Sequence, residues 1–148
     1  MISFFPDLNV WIALSVASHS HSEAAWDWLD SLPDGARLIF SRYTQIGLLR
    51  LLTNSAAMGQ QILTLERAWA VYDRWLSDPR VEFQPEPRSL EEAFREATAR
   101  FGKQPASKWV GDCYLLACAK ESDATLATFD AALLRAARAQ HCRAVIPA

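Results

Sequence analysis

Five short apolar runs limit what this chain can fold into more than any other feature. They are residues 2–5 (Ile-Ser-Phe-Phe), Arg37–Phe40, Val81–Phe83, Ala124–Ala127 and Ala144–Ile146. Each has the length of a strand, and helical periodicity separates each from the next. Strands buried on both faces read as nearly continuous apolar runs, and parallel neighbours need a crossover of a dozen residues or more between them. The expected fold class is therefore α/β, a parallel sheet of about four to five strands flanked by helices on both faces. Right-handed crossovers then bring the carboxyl ends of all the strands to one rim.

The stretches between these runs read as helices. Leu8–Leu14 is short, and residues 15–22 form a polar loop carrying His19 and His21. Ala25, Trp28, Leu29 and Leu32 share one face of a helix that Pro33-Asp34-Gly35 stops. Ser41 can cap a helix over Tyr43–Thr53. Leu65, Trp69, Tyr72 and Leu76, spaced four, three and four, predict the buried stripe of a further helix. Ser89-Leu90-Glu91-Glu92 reads as a capping box opening Leu90–Phe101. Ser107 can cap Lys108–Glu121, and Ala131–Ala139 is the last helix.

At 148 residues the chain is read as a single domain, 1–148, large enough for a real core. Its 51% hydrophobic and 22% charged content is that of a globular protein. No apolar stretch approaches the roughly 18 residues of a membrane span, and the N-terminus lacks the basic and long apolar regions of a secretion signal. Cys113, Cys118 and Cys142 are odd in number without CxxC spacing, which fits buried free thiols in a reducing cytoplasm. A net charge of −2 argues against a broad electrostatic grip on nucleic acid. Of the 15 basic residues, however, only Lys103, Lys108 and Lys120 are lysines. The rest are arginines, suited to forked contacts with phosphate, so a local basic patch stays open.

Two acids follow strands directly. Asp7 comes after the first apolar run and a proline, and Asp130 after Ala124–Ala127 and Thr128-Phe129. Both belong on the rim where open α/β sheets bind ligands, although Asp7 can equally cap the helix that starts at Leu8. Asp112 shares a helical face with Leu115, Leu116 and Ala119, which should pack on the sheet. A carboxylate on such a face is costly unless paired or bound to a cation. Three acids from distant parts of the chain, with no histidine or cysteine beside them, suit Mg²⁺ or Mn²⁺ rather than zinc. Such an ion can activate water for phosphodiester hydrolysis.

The chain resembles the PIN-domain ribonucleases, and in particular the VapC-like toxins of toxin–antitoxin pairs. The resemblance rests on Pro6-Asp7-Leu8-Asn9-Val10, Thr44–Leu51, Asp112–Ala117 and Ala127-Thr128-Phe129-Asp130, in the family's order over nearly the whole chain. It implies a metal-dependent endoribonuclease, with Asp7, Asp112 and Asp130 as the catalytic metal ligands. Thr128 would support a ligand or a coordinated water, with Asn9 and Thr44 behind the ligands. It also implies a homodimer, to which Val10-Trp11-Ile12 and Leu48-Leu49 would contribute, and a cognate antitoxin lying across the acidic groove. Many members carry a glutamate where this chain has Gln45, so the site is less acidic by one unit. Gln45 would either offer a carbonyl to the site or bond backbone at the helix start.

Other residues carry weaker signals. Arg42, Arg50, Arg135 and Arg138 are candidates to hold an RNA backbone or are simply solvated, and Trp109, one turn before Asp112, can stack on a base or pack. His19 and His21 lack further ligands for a metal site. Cys113 and Cys118 belong in the core, and the five tryptophans other than Trp109 in core or interface. Two rival readings remain. A non-catalytic PIN-like module that binds RNA or a partner draws on Gln45 alone. A haloacid-dehalogenase-type phosphatase needs a second aspartate where Asn9 stands.

Overall fold

In a computed structural model describing residues 2–148, five strands form one parallel sheet: β1 (Ser3–Pro6), β2 (Arg37–Phe40), β3 (Val81–Phe83), β4 (Thr125–Ala127) and β5 (Ala144–Val145). Their order is β3-β2-β1-β4-β5. Phe4 pairs with Leu38 on one side and Thr125 on the other, and Pro6 with Ala127. The chain thus works outward from β1 in one direction, then returns to lay β4 and β5 on the other side. The β1–β4 boundary is the topological switch point, where a crevice opens beyond the carboxyl ends of the strands. The α/β expectation holds, and the strands fall within a residue of their apolar runs.

Eight helices cover the sheet among the described residues: α1 (Leu8–Ser15), α2 (Ser22–Ser31), α3 (Arg42–Leu52), α4 (Ser55–Met58), α5 (Leu65–Leu76), α6 (Leu90–Ala99), α7 (Val110–Glu121) and α8 (Ala131–Ala139). Strand residues alternate between two cores, as period two requires. Phe4, Leu38 and Phe40 face Trp11, Trp28, Tyr72 and Trp75 of α1, α2 and α5. Phe5, Ile39 and Leu126 face Leu90, Leu115, Leu116 and Leu133 of α6, α7 and α8. The three thiols are free and buried, as expected. No described helix is long and apolar enough to cross a membrane.

Helix α5 has the expected span but turns a different face inward. Ala68, Tyr72 and Trp75 are buried, whereas Leu65, Trp69 and Leu76 are exposed at 58%, 41% and 39%. Both triplets satisfy helical spacing. The buried one wins because Ala68 lets the helix approach closely, so that Tyr72 meets Phe40 edge-on at 5.0 Å and Trp75 meets Trp11 at 5.5 Å. The Trp75 indole N–H also finds Ser15 Oγ at 2.8 Å. Trp11 itself stacks on Phe40 at 3.7 Å. With Val10 and Leu48 it is fully buried, so these three residues form core and leave only the half-buried Leu49 and the edge of Ile12 of the surface expected for a dimer.

Two caps also differ. Ser89 does not cap α6, because its backbone (φ −84°, ψ 5°) is not extended, and its hydroxyl donates to Glu121 at 2.9 Å. Ser107 begins a 3₁₀ turn, Ser107–Trp109, and α7 proper starts at Val110. That shift places Asp112 in the first turn of α7. The short α4 had no counterpart in the sequence pattern; Asn54 caps it through the Ala57 N–H at 3.1 Å.

Candidate active site: a carboxylate cluster at the sheet rim

Asp7 stands at the tip of β1, held on three sides. Its N–H donates to Ala127 O of β4 at 2.8 Å. Its Oδ1 accepts from the Leu8 N–H at 2.7 Å and so caps α1, while Oδ2 accepts from Thr128 Oγ1 at 2.8 Å. The cap and the rim position coexist on one carboxylate. Burial pushes its pKa up from the usual carboxylate value, with Asp130 adding to the rise; the Thr128 and Leu8 hydrogen bonds offset part of it.

Thr128, fully buried, connects the two strand tips. Its hydroxyl donates to Asp7 and accepts from Asn9 Nδ2 at 3.3 Å and from the Asp130 N–H at 3.0 Å. Asn9 closes the loop by accepting the Phe129 N–H on Oδ1 at 3.2 Å. Asp130 then caps α8, its Oδ1 accepting from Ala132 at 2.9 Å and Leu133 at 3.2 Å. Asn9 and Thr128 therefore tie the tips of β1 and β4 together.

Asp112 comes in from α7 on the far side of the crevice. It is half-buried, and burial, then Asp7, then Asp130 push its pKa up to about 6. All three acids thus share one field at the switch point. Among the described residues, however, no group of three histidines, cysteines, aspartates or glutamates closes into a ready-made metal cage. The cluster is a set of mutually repelling carboxylates, two of them engaged in helix caps.

The remaining candidates separate. Thr44 is fully buried in a capping box with Ser41: its hydroxyl accepts the Ser41 N–H at 2.9 Å, and its own N–H donates to Ser41 Oγ at 3.1 Å. Gln45 is buried with its carbonyl oxygen accepting from Arg42 Nη1 at 2.6 Å, and that guanidinium lies 4.5 Å from the centre of the Phe83 ring. Trp109 stacks on Phe101 at 4.6 Å and is packed rather than free. Arg50 is exposed beside Leu8, Tyr43 and Ile46 in a groove of about 420 Å³, and Arg135 is exposed on α8. Arg138 donates to Ala144 O at 3.1 Å. His19 accepts the His21 N–H on Nδ1 at 3.1 Å, and the exposed His21 ring stacks on Phe129 at 4.3 Å.

Tyr43 was missed. Burial and then the charges of Asp112 and Asp7 push its phenol pKa up, which brings its hydroxyl into the field of the cluster. Nothing in a single sequence singles out a tyrosine at the second position of a helix. The glycine that makes room for it, Gly111, is distant in the chain.

Comparison with known proteins gives a consistent result. A family model described as "PIN domain" matches residues 4–139. The chain is 39% identical over 130 residues to "Ribonuclease VapC41" of Mycobacterium tuberculosis, covering 85% of this chain and 88% of that one. It is 32% identical over 130 residues to "Ribonuclease VapC29" of the same organism, covering 86% and 85%. Among solved structures, VapBC2 from Rickettsia felis bound to a promoter DNA fragment superposes with a TM-score of 0.69 at 14% identity, covering 98% of each chain. Mycobacterium tuberculosis VapC20, described as a sarcin-ricin loop cleaving toxin, gives 0.66 at 21% identity, covering 90% and 94%.

Proposed function

The chain belongs to the PIN-domain family, and on that footing we propose that it is an endoribonuclease, the toxin of a toxin–antitoxin pair, with Asp7, Asp112 and Asp130 as its catalytic metal ligands. The observation that carries this reading is the convergence of three aspartates from the β1 tip, α7 and the β4 tip, where burial and then the charges of Asp7 and Asp130 push the pKa of Asp112 up to about 6. The relatives named above at 39% and 32% identity are both ribonucleases by name.

Mg²⁺ or Mn²⁺ fits the residues by charge and donor type. Carboxylate oxygens suit a hard dication, and one placed among them would relieve the repulsion that raises Asp112. They fit as an acidic cluster rather than as a closed cage. When bound, such an ion supplies a water nucleophile at neutral pH and offsets charge on the phosphoryl oxygens. The protein's own work is positioning. Thr128 and the Leu8 N–H fix both oxygens of Asp7, Asn9 braces Thr128 against the Phe129 backbone, and the α8 cap fixes Asp130. Arg42, Arg50 and Arg135 are the candidates to hold the RNA backbone.

The same reading extends to partners. The whole chain acts as one domain in a reducing cytoplasm, where its thiols stay free. An antitoxin covers the acidic crevice, and a second copy of the chain completes a homodimer. The test is cleavage of bacterial RNA by the purified chain with added Mn²⁺ or Mg²⁺, with EDTA, and by Asp7→Asn and Asp112→Asn. Cleavage should fall at least 100-fold in each variant and stop with EDTA. Activity that survives chelation and both substitutions would exclude this chemistry, and RNA binding without cleavage by the parent would favour a non-catalytic module.

A further inference from the structure

The geometry points to one more substrate-contacting residue: we propose that the Tyr43 hydroxyl donates a hydrogen bond to a phosphodiester oxygen of the RNA strand at the carboxylate cluster. The inference rests on the ribonuclease reading and adds a residue from α3 to a site otherwise drawn from β1, α7 and β4.

Gly111 provides the first observation. It is the second residue of α7, next to Asp112, with no positive φ to explain a glycine. Glycine weakens a helix interior relative to alanine. What it provides here is space: a Cβ at this position would overlap the Tyr43 hydroxyl, while the ring carbon bearing that hydroxyl would stand 3.0 Å away. The ring alone could be accommodated by a small shift. The hydroxyl is the atom that a side chain at position 111 would displace.

That hydroxyl serves no evident internal purpose. The two nearby carboxylates act on it through their charge, and neither takes its proton in a hydrogen bond. By contrast, the Tyr114 hydroxyl, whose ring lies 5.3 Å from that of Tyr43, donates to Glu86 at 3.2 Å. Tyr43 is also 44% exposed, so ligand can reach it.

Its surroundings suit a nucleic-acid strand. Tyr43 lines the groove of about 420 Å³ with Leu8, Ile46, Gly47 and Arg50. Arg50 forms none of the salt bridges found among the described residues. An uncompensated guanidinium and a neutral phenol donor thus line one groove, and the glycine that the phenol meets stands next to Asp112 at the carboxylate crevice. A phosphate held at that crevice accepts from both, whereas a bare anion without a cation would be repelled.

The test combines three variants of the full chain, Tyr43→Phe, Gly111→Ala and the double, in single-turnover cleavage of purified bacterial RNA with Mn²⁺. Tyr43→Phe should keep the parent's melting temperature, because the ring remains, and lose about 10- to 100-fold in rate, the size of a hydrogen bond to a charged group. Gly111→Ala should lose as much by displacing the hydroxyl, and the double variant should be no worse than either single one. A second readout is the affinity of Asp7→Asn protein, which does not cleave, for a fluorescent single-stranded RNA of mixed sequence in the presence of Mn²⁺; adding Tyr43→Phe should weaken it several-fold. Parental cleavage by Tyr43→Phe, losses that multiply in the double variant, or unchanged RNA affinity would each overturn the proposal. In any of these cases Asp7→Asn still fails to cleave, so the ribonuclease reading stands. If the parent itself does not cleave, both fall together.

Discussion

Asp112 is the residue on which the electrostatics of the site converge, because it carries a charge that Asp7 and Asp130 oppose and burial penalises. Its value in the folded chain, about 6, lies above the ordinary 3.8. The folded state therefore holds this proton more tightly than the unfolded chain does. The resulting stabilisation is complete below about pH 3.8 and is lost as pH rises through 6. Because the residue is only half-buried, solvent screening leaves an effect on the order of 1 kcal/mol. In metal-free protein, the melting temperature of the parent relative to Asp112→Asn should thus fall between pH 4 and pH 7 and level off above. A difference independent of pH would show that Asp112 does not titrate there. Asp7 and Asp112 were legible as candidates because each acid interrupts an apolar pattern. Tyr43 was not, because its significance depends on a glycine from another helix.

At the scale of elements, α5 shows what periodicity leaves open. Its sequence contains two stripes, Leu65–Trp69–Tyr72–Leu76 and Ala68–Tyr72–Trp75, which share Tyr72 and are offset by roughly 60° around the helix axis. A hydrophobicity count favours the first, but packing selects the second, since a small residue at the crossing lets two aromatic rings reach the core. Trp75→Ala should accordingly cost about 3–5 kcal/mol in urea denaturation, through loss of its contacts with Trp11 and Ser15. Trp69→Ala should cost less than about 1 kcal/mol in a monomer. Equal costs would mean that both faces are covered. The failed Ser89 cap has the same origin: the residue types are right, but a longer-range bond to Glu121 competes.

For the whole molecule, the strand order matters more than any single contact. Because β4 returns to the opposite side of β1, the two acid-bearing tips become neighbours and α7 descends beside them. On the ribonuclease reading, a net charge of −2 over 148 residues would leave RNA to be held by a few local arginines rather than by a broad basic surface. Each phosphate contact to a single strand contributes a slope of about −0.7 in log affinity against log salt. If Arg42, Arg50 and Arg135 all engage, the slope should reach about −2 and drop by about one contact in Arg50→Ala. A slope much steeper than that would require a basic surface that this chain lacks.

Local chemistry determined the elements. Runs of apolar residues too short for helices, split by stretches of helical period, can bury themselves only as a parallel sheet between helical layers. That pattern, with two acids at strand tips, was enough to place Asp7 and Asp130 on one rim. Which face of α5 turns inward, the commitment of Gln45 to Arg42, and the insertion of Tyr43 over Gly111 were decided only by the tertiary structure. These depend on complementary volumes and hydrogen-bond partners from segments far apart in the chain, and a pattern read along one segment contains no record of what will stand opposite it.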